Sequence, residues 1–286
     1  LHLRDAGKLR LDDPVAGFLP ELAGVRLPTT DSPVLTVRHF MTMSTGLPED
    51  NPWGDRQMAV DNAELAKLVA GGLSFSNAPG VGFEYSNLGY ILLGKIVTKV
   101  SGMRFQDYIT KNILLPLGMK DTGWEYADIA RDKFAQGYRW DKGAWIPEPV
   151  LGDGDGAAMG GLITTMDDFA KYVAFHLNAW PARDGADSGP LKRATIREMH
   201  QPQVFAGLSA KALQVDGKTV NPRVGFYGYG LTWSRDSQNV VTVGHSGGLP
   251  GYGSQYRFAP DHGIGVIAFT NLRYGPVYHP TSKVLA

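Results

Sequence analysis

The sequence predicts an α+β fold, a mixed structure in which a helical region over about residues 15–200 sits beside an antiparallel sheet over about residues 223–275. Three observations carry that expectation. In the first two thirds of the chain apolar residues recur at helical spacing, most clearly at Leu88, Ile91, Leu92, Ile96 and Val100. In the last third the period changes: GYGLTWS, VVTVGHSG, SQYRFAP and GIGVIAFTN are short runs rich in Val, Ile, Tyr, Phe and Trp, separated by turn residues. Between the last two runs Pro260, Asp261, His262 and Gly263 form a compact hairpin connection, which makes this part of the sheet antiparallel. No internal repeat or low-complexity linker divides the 286 residues, so one interleaved domain over 1–286 is expected.

In chain order, Leu1, Leu3, Leu9 and Leu11 read as the end of an apolar helix, through about Ala6, followed by a tight turn and a proline-rich connection. Thr36 is placed to cap a short helix to Met43, stopped by Gly46 and Pro48, and Asp61 to cap another through Leu68. Gly71, Gly72, Pro79 and Gly80 make the next stretch a loop. A helix from Asn87 to Val100 ends at Gly102, with Asn87 itself suited to capping, and a second runs from Arg104 to Leu115 before Pro116 and Gly118 turn the chain. Residues 120–160 read as an irregular excursion with aromatic anchors at Trp124, Tyr126, Tyr138, Trp140 and Trp145. Thr165 then caps a helix whose third residue is Asp168, and Leu191 to His200 is a shorter helix.

Composition narrows the chemistry. Twenty-eight Lys and Arg balance twenty-eight Asp and Glu, so no global field favours nucleic acid, and no nucleic-acid partner is expected. With no Cys there is no thiolate nucleophile, disulfide or Cys-held metal. No apolar run reaches the roughly 20 residues of a membrane span; YILLGKIVTKV is interrupted by Lys95 and Lys99. The acidic residues Asp153, Asp155, Asp167 and Asp168 lack a calcium loop's spacing, and no phosphate loop, zinc helix or dinucleotide fingerprint is present. No metal and no cofactor are expected.

Two segments remain. In PGVGFEYSNLGY, Tyr85 and Asn87 alternate just before an apolar helix and can project toward one cavity. A phenol serves as a base only beside a cation or a dense donor network, because its ordinary pKa is near 10. In TVGHSGGLPGYGS a strand delivers His245 and Ser246 into a glycine-rich corner, where Gly247 allows close approach and the Gly248 N–H is a candidate oxyanion donor. Ser246 is a poor nucleophile candidate, since G-H-S-G-G is not the G-x-S-x-G elbow. Ser44, Thr45 and Gly46 read as loop-shaping residues, and the paired glycines of MGGLITTMDDF as close packing.

Taken together, LHLRDAGKLRLDDPV, TVRHFMTMSTGLP, FEYSNLGYILLGKIV, AAMGGLITTMDDFAKY and VGHSGGLPGYGS resemble the serine beta-lactamase-related family of class C beta-lactamases, DD-peptidases and family VIII carboxylesterases. Tyr85 and Asn87 match its Y-x-N element; His245, Ser246 and Gly247 match its K-T-G or H-S/T-G element, the His being closer to the esterase and peptidase branches. The resemblance implies a helical region beside an antiparallel sheet flanked by helices, with the active site at their junction. It implies acyl transfer to a nucleophilic Ser helped by a Lys one helical turn on. No Ser here has Lys three residues later, so both are expected upstream of Leu1 and an N-terminal part is expected to be missing, or to be supplied as another chain. Tyr85 would then share proton transfer with that Lys, Asn87 orient it or the substrate, His245 support Tyr85 or a bound carboxylate, and Gly248 stabilise the oxyanion, with Ser246 and Gly247 touching substrate. The implied substrate is a small ester, amide or peptide. Beta-lactam hydrolysis, and a noncatalytic binding or scaffold role, are the alternatives.

Overall fold

The structure is a computed structural model, and its described residues are 1–51, 53–213 and 216–285. Its helices are α1 (His2–Asp5), α2 (Val37–Met41), α3 (Asn62–Ala70), α4 (Asn87–Ser101), α5 (Phe105–Ile109), α6 (Met166–Leu177), α7 (Arg193–Met199) and α8 (Tyr278–Leu285). Ala286, the last residue of the closing HPTSKVLA stretch, lies outside the described residues. Side-chain caps start three helices where the sequence placed them: Thr36 accepts from His39 N–H, Asp61 from Glu64 N–H, and Thr165 from Asp168 N–H. Helix α2 is shorter than expected, ending at Met41, because Met43 already adopts a left-handed φ of 54°. Helix α5 continues as a π-helical turn, Thr110–Leu114, which apolar periodicity does not distinguish from α-helix.

Helix α4 is the centre of the helical region, with Leu92, Ile91 and Ile96 fully buried. Its cap is Ser86, not Asn87: Ser86 Oγ accepts from Gly89 N–H at 3.2 Å. Asp50, from a separate loop, receives the two preceding amides, Asn87 N–H on Oδ1 and Leu88 N–H on Oδ2, each at 2.8 Å. Three main-chain donors of the first turn are thereby satisfied, two by a carboxylate that also suits the positive end of the helix. Gly102 closes the other end at φ 71°, a conformation glycine adopts without strain.

The main sheet has six strands in chain order, all antiparallel: β3 (Val204–Ser209), β4 (Arg223–Tyr227), β5 (Thr232–Asp236), β6 (Val241–Leu249), β7 (Tyr252–Ala259) and β8 (Ile264–Thr270). It begins earlier than residue 223, since β3 pairs with β4 through an irregularity between Phe205 and Gly207. The excursion is also more regular than expected, because β1 (Tyr138–Asp141) and β2 (Ala144–Pro147) form a hairpin of their own. Its Trp140 and Trp145 face each other across the strands at 4.9 Å and are exposed, so they anchor nothing inside; Trp124 and Phe105 do pack edge to face.

Two apolar clusters hold these layers. One gathers α2, α3 and α4 with the proline-rich connection; the other joins α6 to the sheet through Val173, Leu231, Val243 and Phe258, and Met199 touches both. Helix α6 covers the sheet face bearing Tyr256, while α8 lies on the other face, where Arg257 stacks on Tyr278. Between α6, α7 and the sheet lies a buried polar chain. Trp180 Nε1–H donates to His200 Nδ1 at 2.9 Å, and His200 Nε2 meets His176 Nδ1 at 2.7 Å.

Two predictions follow from this packing. Asp50→Ala should lower stability by about 1–2 kcal/mol in urea denaturation, the range of a lost helix cap; an unchanged midpoint would show that water replaces the carboxylate. Burial holds His176 well below the ordinary imidazole range and His200 at about 3. The unfolded chain takes up protons at these sites below about pH 6.5 while the folded chain does not. Their stabilisation is therefore complete above that pH and is lost as pH falls, by up to about 1.4 kcal/mol per pH unit for each His. Stability measured from pH 7 to pH 5 should decline, and less steeply in His176→Phe; equal slopes would place the acid sensitivity elsewhere.

Candidate active site

Tyr85 is fixed by its neighbours in the chain. Glu84 N–H donates to the Met43 carbonyl at 2.9 Å and Ser86 N–H contacts Met43 Sδ at 3.3 Å, so the peptides around Tyr85 are pinned to the end of α2. Its ring lies 6.1 Å from that of His245, centroid to centroid. Among the described residues the Tyr85 hydroxyl makes no hydrogen bond, and burial, with the negative charges of Glu49 and Asp50, pushes its pKa up to about 12. As it stands here, Tyr85 is a neutral phenol.

His245 has both ring nitrogens engaged. Nδ1 lies 2.6 Å from the Ser246 carbonyl, which only accepts, so Nδ1 carries the proton. In the neutral ring Nε2 is then an acceptor, and the Tyr227 hydroxyl donates to it at 3.0 Å. Burial holds His245 below the ordinary imidazole value, so the neutral ring prevails. Tyr227, 2% exposed and packed on Phe83, is a neighbour of the candidate site that the sequence did not reveal. Nothing in GFYGYG marks it beyond its aromatic character.

Strand β6 runs straight through GHSGG, so the expected corner is a strand, and the turn comes after it, before Tyr252. Thr232 Oγ1 donates to the Gly244 carbonyl at 2.8 Å, which shows that the Gly244 main chain faces β5. Alternation turns Ser246 and Gly248 to the same side, and β5 pairs no further along β6 than Gly244. The Gly248 peptide thus lies along a strand edge that β5 leaves uncovered. A Cβ at Gly248 would come within 2.5 Å of the Tyr274 ring, so only glycine fits, and the Tyr274 hydroxyl is bonded to buried Asp55. Gly247 sits opposite Ser254. The Ser246 side chain points to the sheet face opposite His245, leaving its carbonyl, not its hydroxyl, in the network.

Asn87 is buried and its amide is turned to the 50–51 loop, donating to Asp50 Oδ1 at 3.1 Å and Asn51 Oδ1 at 2.6 Å. A cavity of about 2210 Å³ between the helical region and the sheet is lined by Tyr85, Asn87, Tyr227, His245 and Gly248 among others. Ligand pockets usually measure about 300–1,000 Å³. Of the acidic residues, Asp153 binds Arg104 and Gln106, and Asp168 binds Thr122, Lys171 and the Asp121 amide. Among the described residues no three His, Asp or Glu groups are placed to hold a metal ion. No described helix is long and apolar enough to cross a membrane.

With this geometry in hand, the relatives are informative. The chain is 30% identical over 278 residues to Beta-lactamase-like protein 2 of Dictyostelium discoideum, covering 93% of this chain and 45% of that protein. It is 26% identical over 288 residues to Penicillin-binding protein 4* of Bacillus subtilis, covering 94% and 56%. It spans about half the length of these curated relatives. The octameric penicillin-binding protein homologue from Pyrococcus abyssi superposes with a TM-score of 0.80 at 29% identity, over 100% of this chain and 61% of that one. At 20–21% identity, a class C beta-lactamase, a D-stereospecific amidohydrolase from Streptomyces and the hydrolase EstCE1 share the fold alone, with TM-scores from 0.70 to 0.74. The family model described as Beta-lactamase matches residues 1–285, and the chain belongs to the beta-lactamase family.

Proposed function

We propose that this chain carries most of the active site of a serine hydrolase that cleaves esters or amides through an acyl-enzyme, with carboxylesterase or D-amino-acid peptidase-like substrates preferred. The observation that carries the reading is the meeting of Tyr85 from the helical region with His245 from β6, beside the Gly248 strand edge and at one large cavity. The names of two fold neighbours, an amidohydrolase and an acyl-transferring hydrolase, agree with it.

The nucleophilic Ser and its Lys belong, in this reading, to a segment outside residues 1–286, on the same polypeptide or a second one. The cavity has room for polypeptide as well as substrate, since its volume is over twice that of a usual ligand site. A Lys ammonium entering beside Tyr85 would offset Glu49 and Asp50 and bring the phenol down from about 12 toward a usable range. The Ser hydroxyl then attacks the substrate carbonyl as its proton passes to the Lys–Tyr85 pair. The Gly248 N–H stabilises the oxyanion, the leaving group departs with a proton, and water releases the acid by the reverse transfers. Asn87 holds the loop beside this site, and Ser246 and Gly247 border the substrate. A noncatalytic binding role is favoured by one fact only, the absence of Ser-x-x-Lys from these residues.

A fluorophosphonate probe followed by intact-mass measurement should add one label to the protein that includes the upstream segment and none to residues 1–286 alone. A folded, unlabelled longer protein would overturn the hydrolase reading. In that longer protein Tyr85→Phe should lower kcat by about 100-fold or more with little change in KM, as expected for a lost proton-transfer group; a loss confined to KM would make Tyr85 a binding residue instead.

A further inference from the structure

Tyr274, whose ring walls the Gly248 strand edge, is bonded to a short turn, Gly54–Arg56, that lies against both α4 and β6. A Cβ on Gly54 would come within 2.7 Å of the Asn87 side chain, so glycine lets the turn sit this close to α4. Gly54 N–H donates to the Asp50 carbonyl at 2.7 Å, which ties the turn to the loop that caps the helix. The next residue, Asp55, is 5% exposed, and its Oδ2 accepts from the Tyr274 hydroxyl. Asp55, Tyr274 and Gly248 line the same cavity.

The other carboxylate oxygen is left without a donor. Asp55 Oδ1 is buried and, among the described residues, accepts no hydrogen bond. Arg56 Nε stands 3.8 Å away on a side chain that is 45% exposed, so it balances part of the charge but is too distant to donate. An ionised carboxylate only accepts, and an oxygen of it held away from water with no donor is strongly disfavoured. Burial, and then the bond to Asp55 and its negative charge, raise the Tyr274 phenol above its ordinary value, so that hydroxyl keeps its proton and stays the donor to Oδ2. Two more carboxylates, Glu49 and Asp50, act on Tyr85 at the same junction. A positively charged donor entering from the cavity therefore meets a negative field and supplies the hydrogen bond that Oδ1 lacks.

We propose that Asp55 is a specificity residue for a substrate ammonium, holding a free amino group near the scissile carbonyl so that amino-acid esters and amides with an unblocked amine are preferred over their N-acylated counterparts. The inference rests on the proposed hydrolase function and names its substrate class. The Lys of that mechanism is engaged in proton transfer at Tyr85, whereas Asp55 is joined through Tyr274 to the Gly248 edge, where the substrate carbonyl is to lie. A primary ammonium has three donors, enough to meet Oδ1 and still bond to neighbouring acceptors. Blocking the amine by acylation removes the charge and leaves a single N–H.

The test compares kcat/KM of the longer protein for the ethyl esters of D-alanine and of N-acetyl-D-alanine. In Asp55→Asn, which keeps an acceptor for Tyr274, the ratio of free-amine to acetylated rates should fall about tenfold or more, the effect of one lost hydrogen bond between charged groups, and the loss should appear in KM. Arg56→Gln removes the nearest competing cation and should move the ratio the other way; if Asp55→Asn does not fold, this variant decides alone. Equal losses on both esters in Asp55→Asn, or an unchanged ratio in both variants, would overturn the subsite and leave the hydrolase function standing, with Asp55 serving the fold or the entering Lys. If neither ester is hydrolysed, calorimetry with D-alaninamide separates the two readings. Binding that Asp55→Asn abolishes would uphold the subsite and count against the hydrolase function, and no binding to the wild type would overturn both.

Discussion

The first turn of α4 has main-chain N–H groups that the helix itself cannot use, and the way they are met arranges the candidate site. Ser86 takes one and Asp50 takes two. Because Asp50 comes from a distant loop, satisfying the helix also draws that loop over the N-terminus, where it binds the Asn87 amide. Tyr85 sits one residue before the cap and is therefore delivered, with little freedom, to the edge of the sheet beside His245. The same carboxylate lies close enough to make the phenol harder to ionise. Helix stability and phenol acidity pull in opposite directions at one residue.

Among the described residues no Lys or Arg acts on Tyr85 or His245, so the junction is governed by burial and by the carboxylates of Glu49 and Asp50. A Lys at the position of His245 would bring a permanent charge; His245 is neutral, bound to its own strand through Ser246 and to Tyr227 on its other side. On the proposed reading, the positive charge that lowers the Tyr85 phenol comes from a group entering the cavity, which distinguishes this junction from one with a built-in ammonium.

Much of this was legible in the sequence. Apolar periodicity located α4 and α6, cap residues located the starts of α2, α3 and α6, and β-branched runs located β6, β7 and β8. Tyr85 and His245 stood out because each lies in a segment whose neighbours restrict it. Tyr227 did not, being 18 residues from His245 in sequence and brought to it only by the register of β4, β5 and β6. Strand β3 was hidden by a glycine-bearing irregularity that breaks its alternation, and the β1–β2 hairpin by an exposed, charged composition that carries no core signal. The true cap of α4 was missed by one residue because Ser86 and Asn87 are equally suited to the task on chemistry alone.

The paired indoles of that hairpin have a use of their own. Trp140 and Trp145 are held 4.9 Å apart at 65°, close enough for their electronic transitions to couple and tilted enough for the coupling to be optically active. The hairpin also meets the end of β8, where Tyr138 N–H donates to the Asn271 carbonyl, and Glu148 just beyond it pairs with Arg273. A circular-dichroism couplet from the two indoles therefore reports on the pairing of β1 with β2, separately from the helices and from the contacts that dock the hairpin to the sheet.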